Sequence, residues 1–448
     1  MLLLKRLLFL ACCALLLASC NFRKEKTQTS SILLQDVLLI DGNGGAPLMH
    51  MDVRIRADSI AEIGRKLDTQ HTLVIPMSGK TVMPALTSAH VHVGSLKGTA
   101  NKPENYTRNN ILSQLKKYAD YGITNILVMG TDLPMLFQSG LRDSSVNNLL
   151  PGARLFSAGY GFGPPGFNTG HLYQPQRADQ VPAQMDSLAQ LRPAVVKIWV
   201  DDFAGHSRKM DTAVYRAVIR EAHKHGLRVA AHVYYLADAR RLVADGVDML
   251  AHSIRDSVID DNLVKQMKEK KVIYIPTLAL DLFSFAYAGM PEWINDPFFK
   301  AALEPGVYEM ITAPGYSAAA KNSPLYARNR HGFETALKNL KKLQDAGVLI
   351  AMGTDSGAQP IRVQGFSEHM ELALMVQAGL TPLQAITAAT KNAAHALKIN
   401  AQFGTITPGK KADLLIINGN PATAISNTRN IAAVYKAGRQ VSKGPKAP

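Results

Sequence analysis

Met83-Pro84-Ala85-Leu86-Thr87-Ser88-Ala89-His90-Val91-His92-Val93 reads as a strand carrying two imidazoles two residues apart. Side chains alternate across a strand, so His90 and His92 share one face, and Ala89, Val91 and Val93 share the other. Two neutral imidazoles on one face can grip a single metal ion. A lone His-x-His is equally what two ordinary strand histidines look like. Its meaning depends on what the chain places beside it.

Downstream, apolar strand-like segments alternate with helical ones, the pattern of βα units on a parallel sheet. Eight strands are expected, at 81–93, 123–130, 154–160, 194–200, 228–234, 248–253, 272–278 and 348–355, with helices between them, for example at 212–225, 236–245 and 260–270. The fold class is therefore α/β, and eight repeats match a (β/α)8 TIM barrel. A doubly wound sheet would need a phosphate-binding turn that the chain lacks. Short alternating strands at 31–76 have a counterpart near the far end, at 412–417 and 431–436. Both termini are thus expected to build one small β-sandwich from 31–78 and 404–445, around a barrel at 79–403. The long connection 281–330 carries Trp293, Phe298 and Phe299 among several prolines and is expected to be a lid or pocket wall.

Polar residues cluster at the ends of the expected strands: His90 and His92 on the first, Lys197 on the fourth, His232 on the fifth, His252 on the sixth and Asp355 on the eighth. Each has a plain structural explanation by itself: a core histidine, a lysine whose amine reaches out to solvent, an aspartate capping a turn. In a parallel barrel, however, all strand ends meet at one mouth, where such enzymes place their chemistry.

With these residues in place, the chain resembles the amidohydrolase superfamily, in the branch of imidazolonepropionases and Xaa-Pro and Xaa-Arg dipeptidases. The resemblance rests on the opening stretch, on Val196-Lys197-Ile198, Ala231-His232, Ala251-His252-Ser253 and Gly353-Thr354-Asp355-Ser356-Gly357, and on the tail from Gly404 to Leu414. Ala85 and Ser88 depart from it, standing where a glycine and an acidic residue are usual. The resemblance implies two divalent metal ions: His90, His92 and Asp355 on one, His232 and His252 on the other, and a carboxylated Lys197 bridging them. Zinc suits such ligands, with manganese, iron or cobalt as alternatives. It also implies attack by a metal-bridging hydroxide on an amide (C–N) bond, with Asp355 moving the proton. His171, ending a glycine-rich loop, is a candidate catalytic and substrate-binding residue. Tyr234 is a candidate contact for a substrate carboxylate, chosen over Tyr235 because it shares the parity of His232. The expected substrate is a small or dipeptide-like molecule or a cyclic amide. A lactone or ester hydrolase, or a non-catalytic substrate-binding lipoprotein, are the alternatives.

The apolar content of 47% and charged content of 19% describe a globular chain. The formal charge of +15 is spread over short clusters, the last two on helix-like segments, which argues against a nucleic-acid surface. The only cysteines are Cys12, Cys13 and Cys20. Lys5 and Arg6 precede an apolar run too short to span a bilayer, and Leu17-Ala18-Ser19-Cys20 resembles the lipobox of bacterial lipoproteins. The expectation is a signal peptide at 1–19, lipidation of Cys20, a tether at 20–30 and a place in the cell envelope, on the outer membrane or the periplasmic face. Contact with the membrane would be through the lipid only. An ordinary secretory signal is the alternative, and homo-oligomerisation is left open.

Overall fold

A computed structural model describes residues 31–167 and 171–446. The expected leader, tether and Cys20 lie outside the described residues, as do Asn168, Thr169 and Gly170 of the glycine-rich loop.

The opening stretch divides into two strands. Lys80–Pro84 pairs antiparallel with Leu414–Asn418, whereas Leu86–Val91 pairs parallel with Ile123–Val128. The single strand expected at 81–93 is therefore broken at Ala85, whose N–H donates to the Asp413 carbonyl at 3.0 Å. Pro84 has no N–H to extend a ladder, which suits a change of partner.

Parallel pairing continues from Ile123–Val128 to Arg154–Ser157, and a second run joins Val196–Trp199, Val229–His232, Met249–Ala251 and Ile273–Ile275. The two runs meet where Ala194 N donates to Ser157 O at 2.8 Å and Phe162 N to Lys197 O at 2.8 Å. The eighth expected strand, 348–355, is an irregular segment instead. It still bonds to both neighbours: Tyr274 N to Leu349 O at 2.9 Å on one side, Ala89 N to Met352 O and His92 N to Ser356 O, both 2.8 Å, on the other. Asp355, near its end, is left-handed at φ 58°, which interrupts extended pairing at that residue.

A bulge corrects the expected face pattern of the histidine strand. Ser88 opposes Ile126 and Val91 opposes Val128, so two residues, Ala89 and His90, face one, Leu127. Ala89 consequently packs with Leu127, Met129, Ala158, Ala230 and Ala351 in a cluster among the strands, while Val91 packs with Val128 in the layer beneath the helices. Ala89 and Val91 do not share a face, and Ser88 points towards the helix Phe366–Gln377, reaching Glu368.

The helices form for local reasons. Thr212–Lys224 starts where the Asp211 carboxylate caps Ala213 N at 2.7 Å, buries Val214, Ala217 and Val218 at helical spacing, and stops before Gly226 at φ 68°. Fully burying each such valine stabilises the fold by roughly 1.5–3 kcal/mol. The connection 281–330 forms several short helices and does wall the main cavity, through Asp281, Ser284, Leu325, Arg328 and Asn329, whereas its aromatic residues Trp293 and Phe299 pack on Phe366.

Both termini contribute to one eight-stranded hydrogen-bonded network that includes Ser31–Leu39, Leu48–Arg56, Leu414–Asn418 and Ile431–Lys436. It has its own apolar core, containing Leu34, Val53, Val82 and Ile416. The buried pair Arg154–Asp413 ties this network to the parallel strands, and His369 bonds both Tyr121 O at 2.8 Å and Thr428 Oγ1 at 3.0 Å. No helix among the described residues is long and apolar enough to cross a membrane.

Candidate active site

Each of the six residues expected at the strand ends, apart from Lys197, lines one cavity of about 450 Å³. His90 lies in the bulge and His92 just beyond it, His232 ends its strand, His252 follows Met249–Ala251 and Asp355 lies in the eighth segment. His90, His92 and Asp355 each place one ligand atom within 4.8 Å of the others. The imidazoles continue as a chain, with ring centroids 4.6 Å apart for His90 and His252 and 4.2 Å for His252 and His232.

Threonines orient two of these rings. His92 Nδ1 bonds Thr131 Oγ1 at 2.6 Å and His252 Nδ1 bonds Thr277 Oγ1 at 2.9 Å, which fixes the orientation of each ring. His90 Nε2 and His92 Nε2 approach the same Asp355 oxygen at 3.1 Å and 2.7 Å. An imidazole protonated on Nε2 donates to that carboxylate, and the same three atoms would face a cation once those protons are released. Burial, reinforced by Lys197, brings His90 down to about 3, and burial brings His232 down to about 4, so both rings are neutral at physiological pH. Burial works against ionised Asp355, but the Arg362 guanidinium and the imidazoles hold it well below the usual carboxylate range.

Lys197 is fully buried, and its Nζ has no hydrogen-bond partner. Burial brings the amine down to about 7, so neutral amine is plentiful near pH 7. Gly130 makes room for it: at φ 82°, a Cβ there would lie 2.8 Å from Lys197 Cβ. Five non-glycine residues at the site, Phe203, Ala204, His252, Thr277 and Asp355, also have positive φ, each at a cost of order 1–3 kcal/mol that the surrounding fold must offset.

The same cavity has a cationic wall. Arg255 is buried, pairs with Asp281 at 2.8 Å and lies 4.6 Å from the Tyr234 ring centroid, and Arg328 lies 4.0 Å from that centroid. Tyr234 lines the cavity, whereas Tyr235 turns away and donates to Asp202 at 3.0 Å. His171 is exposed, packs edge-on against Tyr160 at 4.5 Å and is not among the residues lining the cavity.

Sequence reasoning missed Arg255, Asp281, Arg328 and Arg362. Arg255 and Thr131 closely follow strand ends and were open to the same logic as the histidines. Arg328 sits in the first turn of a long helix and Arg362 in a tight loop, where neither periodicity nor strand position marks them.

A family model described as the amidohydrolase family matches residues 81–441. The imidazolonepropionase of Deinococcus radiodurans is 37% identical over 107 residues, which is 22% of this chain and 26% of that protein. The chain thus matches about a quarter of that relative's length. A solved structure of a putative prolidase from Bifidobacterium longum shares the fold at a TM-score of 0.75, with 23% identity over 93% of this chain and 96% of that one. A Xaa-Pro dipeptidase solved with methionine bound in its active site does so at 0.70, with 24% identity over 92% and 99%.

Proposed function

Because the chain belongs to the amidohydrolase family, we propose that it is a binuclear metal-dependent hydrolase of amide C–N bonds acting on a small, dipeptide-like substrate with a free carboxylate. The observation that carries this is a single cavity lined both by the His90–His92–Asp355 cluster and by the Arg255–Tyr234–Arg328 stack.

The residues fit divalent metals, being neutral imidazoles, an ionised carboxylate and an unpartnered buried amine. His90, His92 and Asp355 would hold one ion and His232 and His252 a second, with Lys197, carboxylated on its neutral amine, between them. Bound there, the ions would polarise the scissile carbonyl and make water acidic enough to attack near neutral pH. Arg328 and the Tyr234 hydroxyl hold the substrate carboxylate and so fix the carbonyl at the metal end of the cavity. Asp355 takes a proton from the attacking water and passes it to the leaving nitrogen. His171 enters this proposal on family resemblance alone, as a further contact to the substrate carbonyl or carboxylate.

In the same proposal the ring of parallel segments is a (β/α)8 barrel at 79–403 and the terminal network a β-sandwich at 31–78 and 404–445. A lipid on Cys20 holds the protein in the bacterial envelope.

The test is a library of dipeptides and N-acyl amino acids, each beside its C-terminally amidated counterpart, presented to the full chain reconstituted with Zn²⁺. Cleavage of the free acids, falling about 100-fold on amidation, is expected. Cleavage of esters or lactones without any amide, or a wild-type chain that takes up no stoichiometric metal, would overturn the proposal.

A further inference from the structure

Behind the metal-facing side of Asp355 lies a second carboxyl group that the proposed chemistry does not use. Glu368, near the start of the helix Phe366–Gln377, is fully buried. Its Oε1 accepts three hydroxyls: Thr354 at 2.7 Å, Ser356 at 2.9 Å and Ser88 at 3.3 Å. Its Oε2 accepts Gly365 N at 2.9 Å, and Tyr118 OH bonds Ser356 Oγ at 2.7 Å, closing the network. Thr354, Ser356 and Ser88 are buried as well.

The arrangement explains how Asp355 is held. Thr354 and Ser356 flank it, and both hydroxyls run to one oxygen on the helix side. The residue between them is thereby kept left-handed, at φ 58°, with its carboxylate towards His90 and His92. The same oxygen takes Ser88, which precedes the bulge that turns His90 towards the cavity. One carboxyl group thus joins the strand bearing two candidate ligands to the segment bearing the third.

We propose that Glu368 is a positioning residue for the metal centre, and that Ser88 and Glu368 form an exchangeable pair in which one carboxyl group, supplied here by the helix, locks the histidine strand to the Asp355 turn. This rests on the proposed metal-dependent function. The network needs a carboxyl group facing Thr354 and Ser356, and position 88 looks onto the same hydroxyls. A carboxylate at 88, with an asparagine at 368 to accept Gly365 N and donate to that carboxylate, again gives the Thr354 and Ser356 hydroxyls and Gly365 N an acceptor.

The experiment titrates the metal-free full chain with Zn²⁺ by calorimetry, counts bound metal by mass spectrometry and records the melting temperature of each metal-free variant. Glu368→Gln places an amide N–H₂ against Gly365 N or the hydroxyls. It is expected to weaken Zn²⁺ binding about 10–100-fold, the usual effect of removing a group that orients ligands. Ser88→Asp/Glu368→Asn is expected to recover binding to within about threefold of wild type, a rescue that a merely structural Glu368 would not give. Wild-type affinity in Glu368→Gln, or a folded double variant no better than the single one, overturns the inference. If the double variant does not fold, Thr354→Val decides: weakened Zn²⁺ binding at an unchanged metal-free melting temperature supports the inference, and unchanged binding overturns it. A wild-type chain that binds no Zn²⁺ would instead defeat the proposed function, so the two failures are distinct.

Discussion

Arg328 lies over the ring of Tyr234, 4.0 Å from its centroid, and among the described residues it makes no ion pair with any carboxylate. A guanidinium held over an aromatic face in a cavity is oriented before any anion arrives, so little entropy is lost when one binds. Arg328→Met keeps much of the packing and removes the charge. We expect KM for free-acid substrates to rise about 10–100-fold, corresponding to the roughly 1.5–3 kcal/mol of a hydrogen bond to a charged group. Steady-state kinetics on amidated counterparts should show almost no change; an equal loss on both would place the arginine outside substrate binding.

Lys197 sets a different expectation, because its unpartnered amine costs stability in the metal-free chain. Lys197→Met removes a buried polar atom with no hydrogen bond while keeping an unbranched side chain. The metal-free variant should melt at or above the wild-type temperature, yet bind less metal and lose activity. Short carboxylic acids supplied in the buffer should restore part of both. Metal content measured with and without them decides whether the lysine supplies a bridging carboxylate.

Thr131 and Thr277 should matter to the metal without touching it. Thr131→Val is nearly isosteric and deletes the bond to His92 Nδ1. Metal affinity should fall about 10–100-fold, as for other groups that orient a ligating imidazole. Titration calorimetry beside unchanged circular dichroism would separate this from a folding defect.

His369 gives an acid limit to stability away from the metal site. Burial brings its pKa down to about 4, against 6.5 for the ordinary side chain, while it bonds Tyr121 O and Thr428. Because the folded-state value is depressed, its contribution is complete above about pH 6.5 and is lost as pH falls towards 4. The loss is roughly 2–3 kcal/mol across that window. His369→Gln should melt less steeply with falling pH than wild type between pH 6.5 and 4, and parallel curves for the two proteins would contradict this.

The candidate metal ligands were legible in the sequence because a parallel strand carries its polar residues at a fixed end. His90, His92, Lys197, His232, His252 and Asp355 could be placed by counting strands. What alternation could not reveal was the bulge at Ala89–His90, since an extra residue leaves no mark in a run of small and apolar side chains. The cationic wall was hidden for another reason: Arg328 and Arg362 reach the cavity from a helix start and a loop, so their positions depend on tertiary packing. The segment 281–330 does line the cavity, but through Asp281, Ser284, Leu325, Arg328 and Asn329 and not through its aromatics, because large apolar side chains build a core as readily as a pocket wall.

Ala85 N donating to Asp413 O brings together two points separated by more than three hundred residues of chain. Everything between them, the whole cavity-bearing part of the molecule, is topologically an insertion whose two ends leave and return through adjacent strands, Lys80–Pro84 and Leu414–Asn418. A pull applied at residues 31 and 446 therefore loads the terminal network first. The part that carries the cavity is shielded from tension until that antiparallel seam gives way.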